Sequence, residues 1–145
     1  MPRCPVILAT LALTACQAGE EPSTADRYAD AFDSLANAVC ECDFRGLAMP
    51  ETSITAHVAS YDSQEACRAD LPTDPDERAC LSELAAAETA LDAALECRRE
   101  MFTAIADCLE SSTCGAQGQC YSAAPSFGCA PLANDLEERL TSCLH

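Results

Sequence analysis

Cysteine is the residue with the most chemistry to offer in this 145-residue chain. Twelve occur, at positions 4, 16, 40, 42, 67, 80, 97, 108, 114, 120, 129 and 143. A thiol can be acylated, oxidised to a disulfide, or used as a soft metal ligand. Zinc sites usually present paired ligands at close spacing. Here there is no Cys-x-x-Cys, and only two histidines, His57 and His145, could supplement the sulfur. No metal site is therefore expected, and a redox-active pair is disfavoured for the same reason. The set from residue 40 onward is Cys40, Cys42, Cys67, Cys80, Cys97, Cys108, Cys114, Cys120, Cys129 and Cys143. Its even number fits five disulfides formed in an oxidising compartment.

Helix geometry narrows the pairing. Cys40 and Cys42 point about 200° apart on a helix and should reach different partners. Cys97 and Cys108 share a face but lie about 16 Å apart along the axis, too far for a bond between them. Cys67 and Cys80 are equidistant from the turn Leu71-Pro72-Thr73-Asp74-Pro75. An antiparallel helical hairpin about that turn predicts a Cys67–Cys80 disulfide.

Other reactive groups carry little. His57 lies close in sequence to Ser53, Thr55 and Ser60, a hydroxyl–imidazole combination that could make a nucleophile. No Gly-x-Ser-x-Gly elbow accompanies it, and such neighbours are common in loops. Asp74, Asp76 and Glu77 read as helix-capping acids rather than calcium ligands. Glu137 and Glu138 beside Arg139 read as a solvated helix face. The chain has no lysine, which excludes Schiff-base chemistry. No phosphate loop, dinucleotide fingerprint or zinc-protease helix is present. No catalytic residue and no cofactor are expected, and the chain reads as non-enzymatic.

The N-terminus has its own pattern. Arg3 precedes an apolar stretch from Val6 to Leu13, followed by Leu13-Thr14-Ala15-Cys16. The stretch is short for a bilayer span but suits a signal peptide. Leu13-Thr14-Ala15-Cys16 resembles the lipobox of bacterial lipoproteins. That resemblance implies cleavage before Cys16 and acylation of its sulfur and amine, enough lipid for stable anchoring. Gln17 in place of Asp points to the outer membrane by the same resemblance. Expected segments are a signal peptide at 1–15, a lipidated cysteine and flexible tether at 16–23, and a Cys-rich domain at 24–145. The alternative is a secretory signal cut after Ala18, giving a soluble secreted protein.

Charge limits the partners. The formal net charge is −16, and loss of Arg3 with the leader would make it one more negative. Such a surface repels nucleic acid and anionic headgroups. No nucleic-acid partner is expected; a membrane contact through lipid and a possible protein partner remain.

The elements that must position the cysteines read as helices. Ser23 with Asp26 caps a first helix expected over 24–42, with Tyr28, Phe32, Leu35 and Val39 on one stripe. Residues 43–61 read as loop, with a turn of helix from Glu51. A second helix begins near Ser63, capped by Asp62 with Glu65, and stops before Pro72. Asp74-Pro75 starts a third. Leu81, Leu84, Leu91, Leu95, Phe102, Ile105 and Leu109 keep helical spacing through residue 112, with a break expected near 86–89 and a cap at Thr89 with Asp92. Residues 113–129 read as a stapled loop. A last helix from Pro131 puts Leu132, Leu136, Leu140 and Cys143 on one face. The expected fold is all-α, a disulfide-stapled bundle of four or five helices. The hydrophobic fraction, 49%, is too high for a disordered chain.

Cys40-x-Cys42, the Tyr61-Asp62-Ser63 turn before Cys67, and cysteines spread along helices, together with the N-terminal motif, resemble uncharacterised small Cys-rich helical lipoproteins of Gram-negative bacteria. The resemblance implies export and disulfides and assigns no activity. The function expected from the whole is a lipid-anchored envelope or surface interaction protein; the alternative is a carrier of a small apolar ligand.

Overall fold

The computed structural model describes residues 21–42, 47–50, 56–59, 61–112, 114, 117–123 and 128–144. The fold is all-α. Its described helices are α1 (Thr24–Cys42), α2 (Gln64–Asp70), α3 (Pro75–Ala87), α4 (Leu91–Ser111), α5 (Gln117–Ala123) and α6 (Asn134–Ser142). A small antiparallel pair, β1 (Leu47–Pro50) and β2 (Ala56–Ala59), sits between α1 and α2, with Leu47 opposite Ala59 and Pro50 opposite Ala56. The segment expected as loop thus holds two four-residue strands, too short to show alternation. The helical turn expected from Glu51 lies outside the described residues.

α1 has the bounds its sequence predicts. The Ser23 hydroxyl accepts from the Asp26 N–H, and Asp26 accepts the Ser23 N–H in return. These bonds satisfy groups that a helix start leaves open. Its stripe, Tyr28, Phe32, Leu35 and Val39, is buried. α4 supplies the facing stripe, with Leu95, Phe102, Ile105 and Leu109. Phe102 lies between two rings of α1, 5.4 Å from Tyr28 and 5.7 Å from Phe32 by centroid. Tilted contacts at this range suit the ring quadrupoles.

α1 and α4 run parallel. Near their N-terminal ends Arg27 reaches Glu96, and at the other end Cys42, the last residue of α1, is bonded to Cys114 just past the end of α4. Between them the chain returns along α1. Cys67 bonds Cys40, Thr73 bonds Asp33 and Arg78 bonds Asp30, rising numbers against falling ones. α6 then lies beside α3 in the opposite sense, with Arg139 on Glu88 and Cys143 on Cys80.

Several local expectations need correction. α2 is capped by Ser63, whose hydroxyl accepts from the Ala66 N–H, and not by Asp62. The expected break falls at residues 88–90, and α4 starts after Ala90 with no side-chain cap. α6 starts at Asn134, three residues after Pro131; Ala133 is its extended N-cap. The stapled loop contains the short helix α5.

Candidate functional site

All ten cysteines from Cys40 onward are bonded. The pairs are Cys40–Cys67, Cys42–Cys114, Cys80–Cys143, Cys97–Cys129 and Cys108–Cys120. Cys40 and Cys42 reach different partners, as their angular separation requires. The expected Cys67–Cys80 bond is not formed. It presumed that α2 and α3 pack on each other as a hairpin. Instead both dock on α1, so Cys67 meets the end of α1 and Cys80 faces α6. Cys16 lies outside the described residues.

The described arginines are all engaged by carboxylates. Arg27 and Arg99 share Glu96; Arg68 holds Glu41; Arg139 holds Glu88. Arg78 bridges Asp30 and Asp33 on α1, and its Nε donates to the Thr73 hydroxyl. The Thr73 N–H and hydroxyl both donate to Asp33. This hub fixes the turn before α3 against α1. The two carboxylates hold the Arg78 guanidinium above its ordinary pKa, the Asp33 hydrogen bond foremost.

Arg98 behaves differently. Its side chain is 3% exposed and donates to Glu137 Oε2 at 2.6 Å, the Glu137 side chain being 14% exposed. A buried ion pair gains little net stability, because both charges lose water, but breaking one side is costly. This pair joins α4 to α6. It escaped the sequence reading because Arg98-Arg99 and Glu137-Glu138 resemble solvated faces. A signal was present: Arg98 lies three residues after Leu95 and four before Phe102, on the apolar stripe.

The described surface near the Arg78 hub forms a cleft of about 330 Å³. Phe32, Leu71 and Leu144 line it together with Tyr61, Asp70 and Glu77. The Tyr61 hydroxyl donates to Asp70 at 3.1 Å. Burial, then the Asp70 carboxylate, pushes the Tyr61 phenol up to about 12. Its neutral form is favoured, so it serves as a hydrogen-bond donor rather than a base. Asp74 accepts the N–H groups of Asp76 and Glu77, and Glu77 accepts the Asp74 N–H. Of the three acids expected to cap α3, Asp74 and Glu77 do so, while Asp76 stands in the first turn with Pro75 and donates only its N–H.

His57 stands in β2, opposite Met49. Ser53, Thr55, Ser60 and His145 lie outside the described residues. Among the described residues, no group of three or more His, Cys, Asp or Glu side chains is placed to hold a metal ion. Among those residues too, no helix is long and apolar enough to cross a membrane. The chemistry on display is therefore covalent bracing and charge pairing beneath an acidic surface. Comparisons with protein-family models, with curated proteins and with solved structures found no match for this chain.

Proposed function

We propose that this chain is a lipid-anchored, non-enzymatic interaction protein of the bacterial cell envelope, held at the outer membrane through Cys16. One observation carries the proposal. The ten cysteines after residue 16 are consumed by one another. They require no partner from the N-terminal segment, which leaves the Cys16 thiol for acylation at its lipobox-like motif. Five cross-links in so short a chain also suit an oxidising compartment rather than a reducing cytosol. The described arginines are all committed to ion pairs within the chain, which fits a rigid body presenting a surface. A carrier of small apolar ligands would instead need an enclosed apolar chamber. The cleft beside Tyr61 is rimmed by carboxylates, which favours contact at the surface.

The test is intact mass after expression in a Gram-negative host, with and without reduction and alkylation. The expected product begins at Cys16, carries acyl chains, and takes up alkylating agent at ten cysteines only after reduction. It partitions with membranes, and Cys16→Ala abolishes that. An unacylated product beginning at Gly19 would replace the anchored protein with a secreted one. Thiols reactive before reduction would reject the oxidised framework.

A further inference from the structure

The turn from α2 to α3 has more acceptors than donors. Leu71 gives its N–H to the Cys67 carbonyl, and there the backbone bonds of α2 end. Pro72 has no N–H to give. The Thr73 N–H goes to the Asp33 carboxylate and the Asp74 N–H to Glu77. The last carbonyls of α2 therefore receive nothing from the chain that follows. A helix C-terminus in this state favours positive charge. Arg68, the basic residue of that turn, is drawn away to Glu41.

The carboxylates beside the turn are half used. The Tyr61 hydroxyl donates to Asp70 Oδ2, the N–H groups of Asp76 and Glu77 to Asp74 Oδ1, and the Asp74 N–H to Glu77 Oε2. Asp70 Oδ1, Asp74 Oδ2 and Glu77 Oε1 have no partner among the described residues. Arg78 bonds the adjoining Thr73 but already holds both Asp30 and Asp33, so that hub is itself one charge negative.

Asp70, Asp74 and Glu77 line the cleft of about 330 Å³, whose apolar wall is Phe32, Leu71 and Leu144. Among the described residues the lining holds no basic side chain. Nor do its acids converge as a metal-ligand set. Acceptors spread around an apolar wall suit a cation whose donors are spread as well. A guanidinium offers five N–H donors in one plane, whereas an ammonium is a compact point charge. The aliphatic stem behind the guanidinium can lie on apolar side chains.

We propose that this cleft receives an arginine side chain from a basic segment of a partner protein. The inference rests on the reading of the chain as an interaction protein and names the chemistry of its contact. A second copy is a poor source, because each described arginine already holds a carboxylate of its own chain. The net charge of −16 also sets two copies against each other.

The test follows amide chemical shifts of the processed chain, in non-ionic detergent if it carries lipid. The probe is a short capped peptide of alternating arginine and glycine, compared with its lysine and citrulline counterparts. Shifts gather at Tyr61, at residues 69–77 and at Leu144, and citrulline abolishes them. The lysine peptide binds at least about threefold more weakly. Asp70→Asn still accepts the Tyr61 hydroxyl, and Glu77→Gln still completes a capping box. Each weakens binding at least about fivefold. Asp107→Asn makes the same charge change on α4 and leaves binding within about twofold. Thermal melting of each variant confirms that the fold persists. Shifts spread over the whole acidic surface, equal binding of the lysine peptide, or an equal loss from Asp107→Asn overturns the proposal. None of these outcomes touches the anchored reading, which stands or falls on the mass of the processed chain.

Discussion

The α1/α4 pair and the α6 segment are stabilised in different ways. α1 and α4 have 19 and 21 residues and meet along buried stripes. Rings and branched aliphatics do the work, with Tyr28, Phe32 and Phe102 at the centre. α6 has nine residues and buries only Leu136 and Leu140 within its length. Two turns of helix cannot remove enough apolar area from water to hold themselves in place. The chain compensates with a disulfide at Cys143, a buried ion pair at Glu137 and an exposed one at Arg139. Where apolar area is plentiful, shape suffices; where it is scarce, cross-links and charges take over.

The contrast can be broken from either side. Phe102→Ala empties the centre of the long pair and should cost about 4 kcal/mol, read by chemical denaturation as a loss for the whole molecule. Replacing both Cys80 and Cys143 by Ser should cost about 3 kcal/mol. Hydrogen exchange should then rise first in α6 while α1 and α4 stay protected. Equal loosening of both regions would show that the staple supports the entire bundle.

Two smaller effects sharpen the picture. Asp74→Ala removes the acceptor for two N–H groups of α3 and should cost about 1 kcal/mol by thermal melting. Tyrosine absorbance during alkaline titration should show Tyr61 and Tyr121 ionising near 12, against 10.0 for an ordinary phenol. Burial is the leading cause in both. Their folded values are raised, so the stability they contribute is complete below pH 10 and is lost as pH rises toward 12. Two phenols titrating near 10 in the folded protein would contradict this environment.

What could be read from sequence follows the range of the interactions. α1 was legible to the residue because Ser23 and Asp26 bond within one turn and its stripe repeats four times. The start of α3 was legible for the same reason at Asp74-Pro75. Cysteine pairing was not, because it depends on which helices become neighbours. Equal distance of Cys67 and Cys80 from a turn meant little once α2 and α3 had each found α1. α5 was hidden by Gly115 and Gly118, which favour a loop. The Arg98–Glu137 clamp combines a cation on an apolar stripe with an acid 39 residues away. Only its first half is visible locally. The lipid-anchor expectation at Cys16 rests on a motif outside the described residues.

The parallel course of α1 and α4 also bears on how the molecule comes to be made. These two helices are the closest of companions in space, yet the bond between their ends, Cys42–Cys114, spans 72 positions of chain. Helical proteins usually fold fast because their contacts are local; this one must close a long loop before its main interface exists. During synthesis or translocation from the N-terminus, α1 emerges with its apolar stripe bare and waits for α4. Cys67 appears during that interval, only 27 positions after Cys40. The first cross-link within reach of Cys40 once it has left its own turn is thus a native one. It ties α2 to the end of α1 before the other seven partners of the framework, Cys80 through Cys143, have arrived.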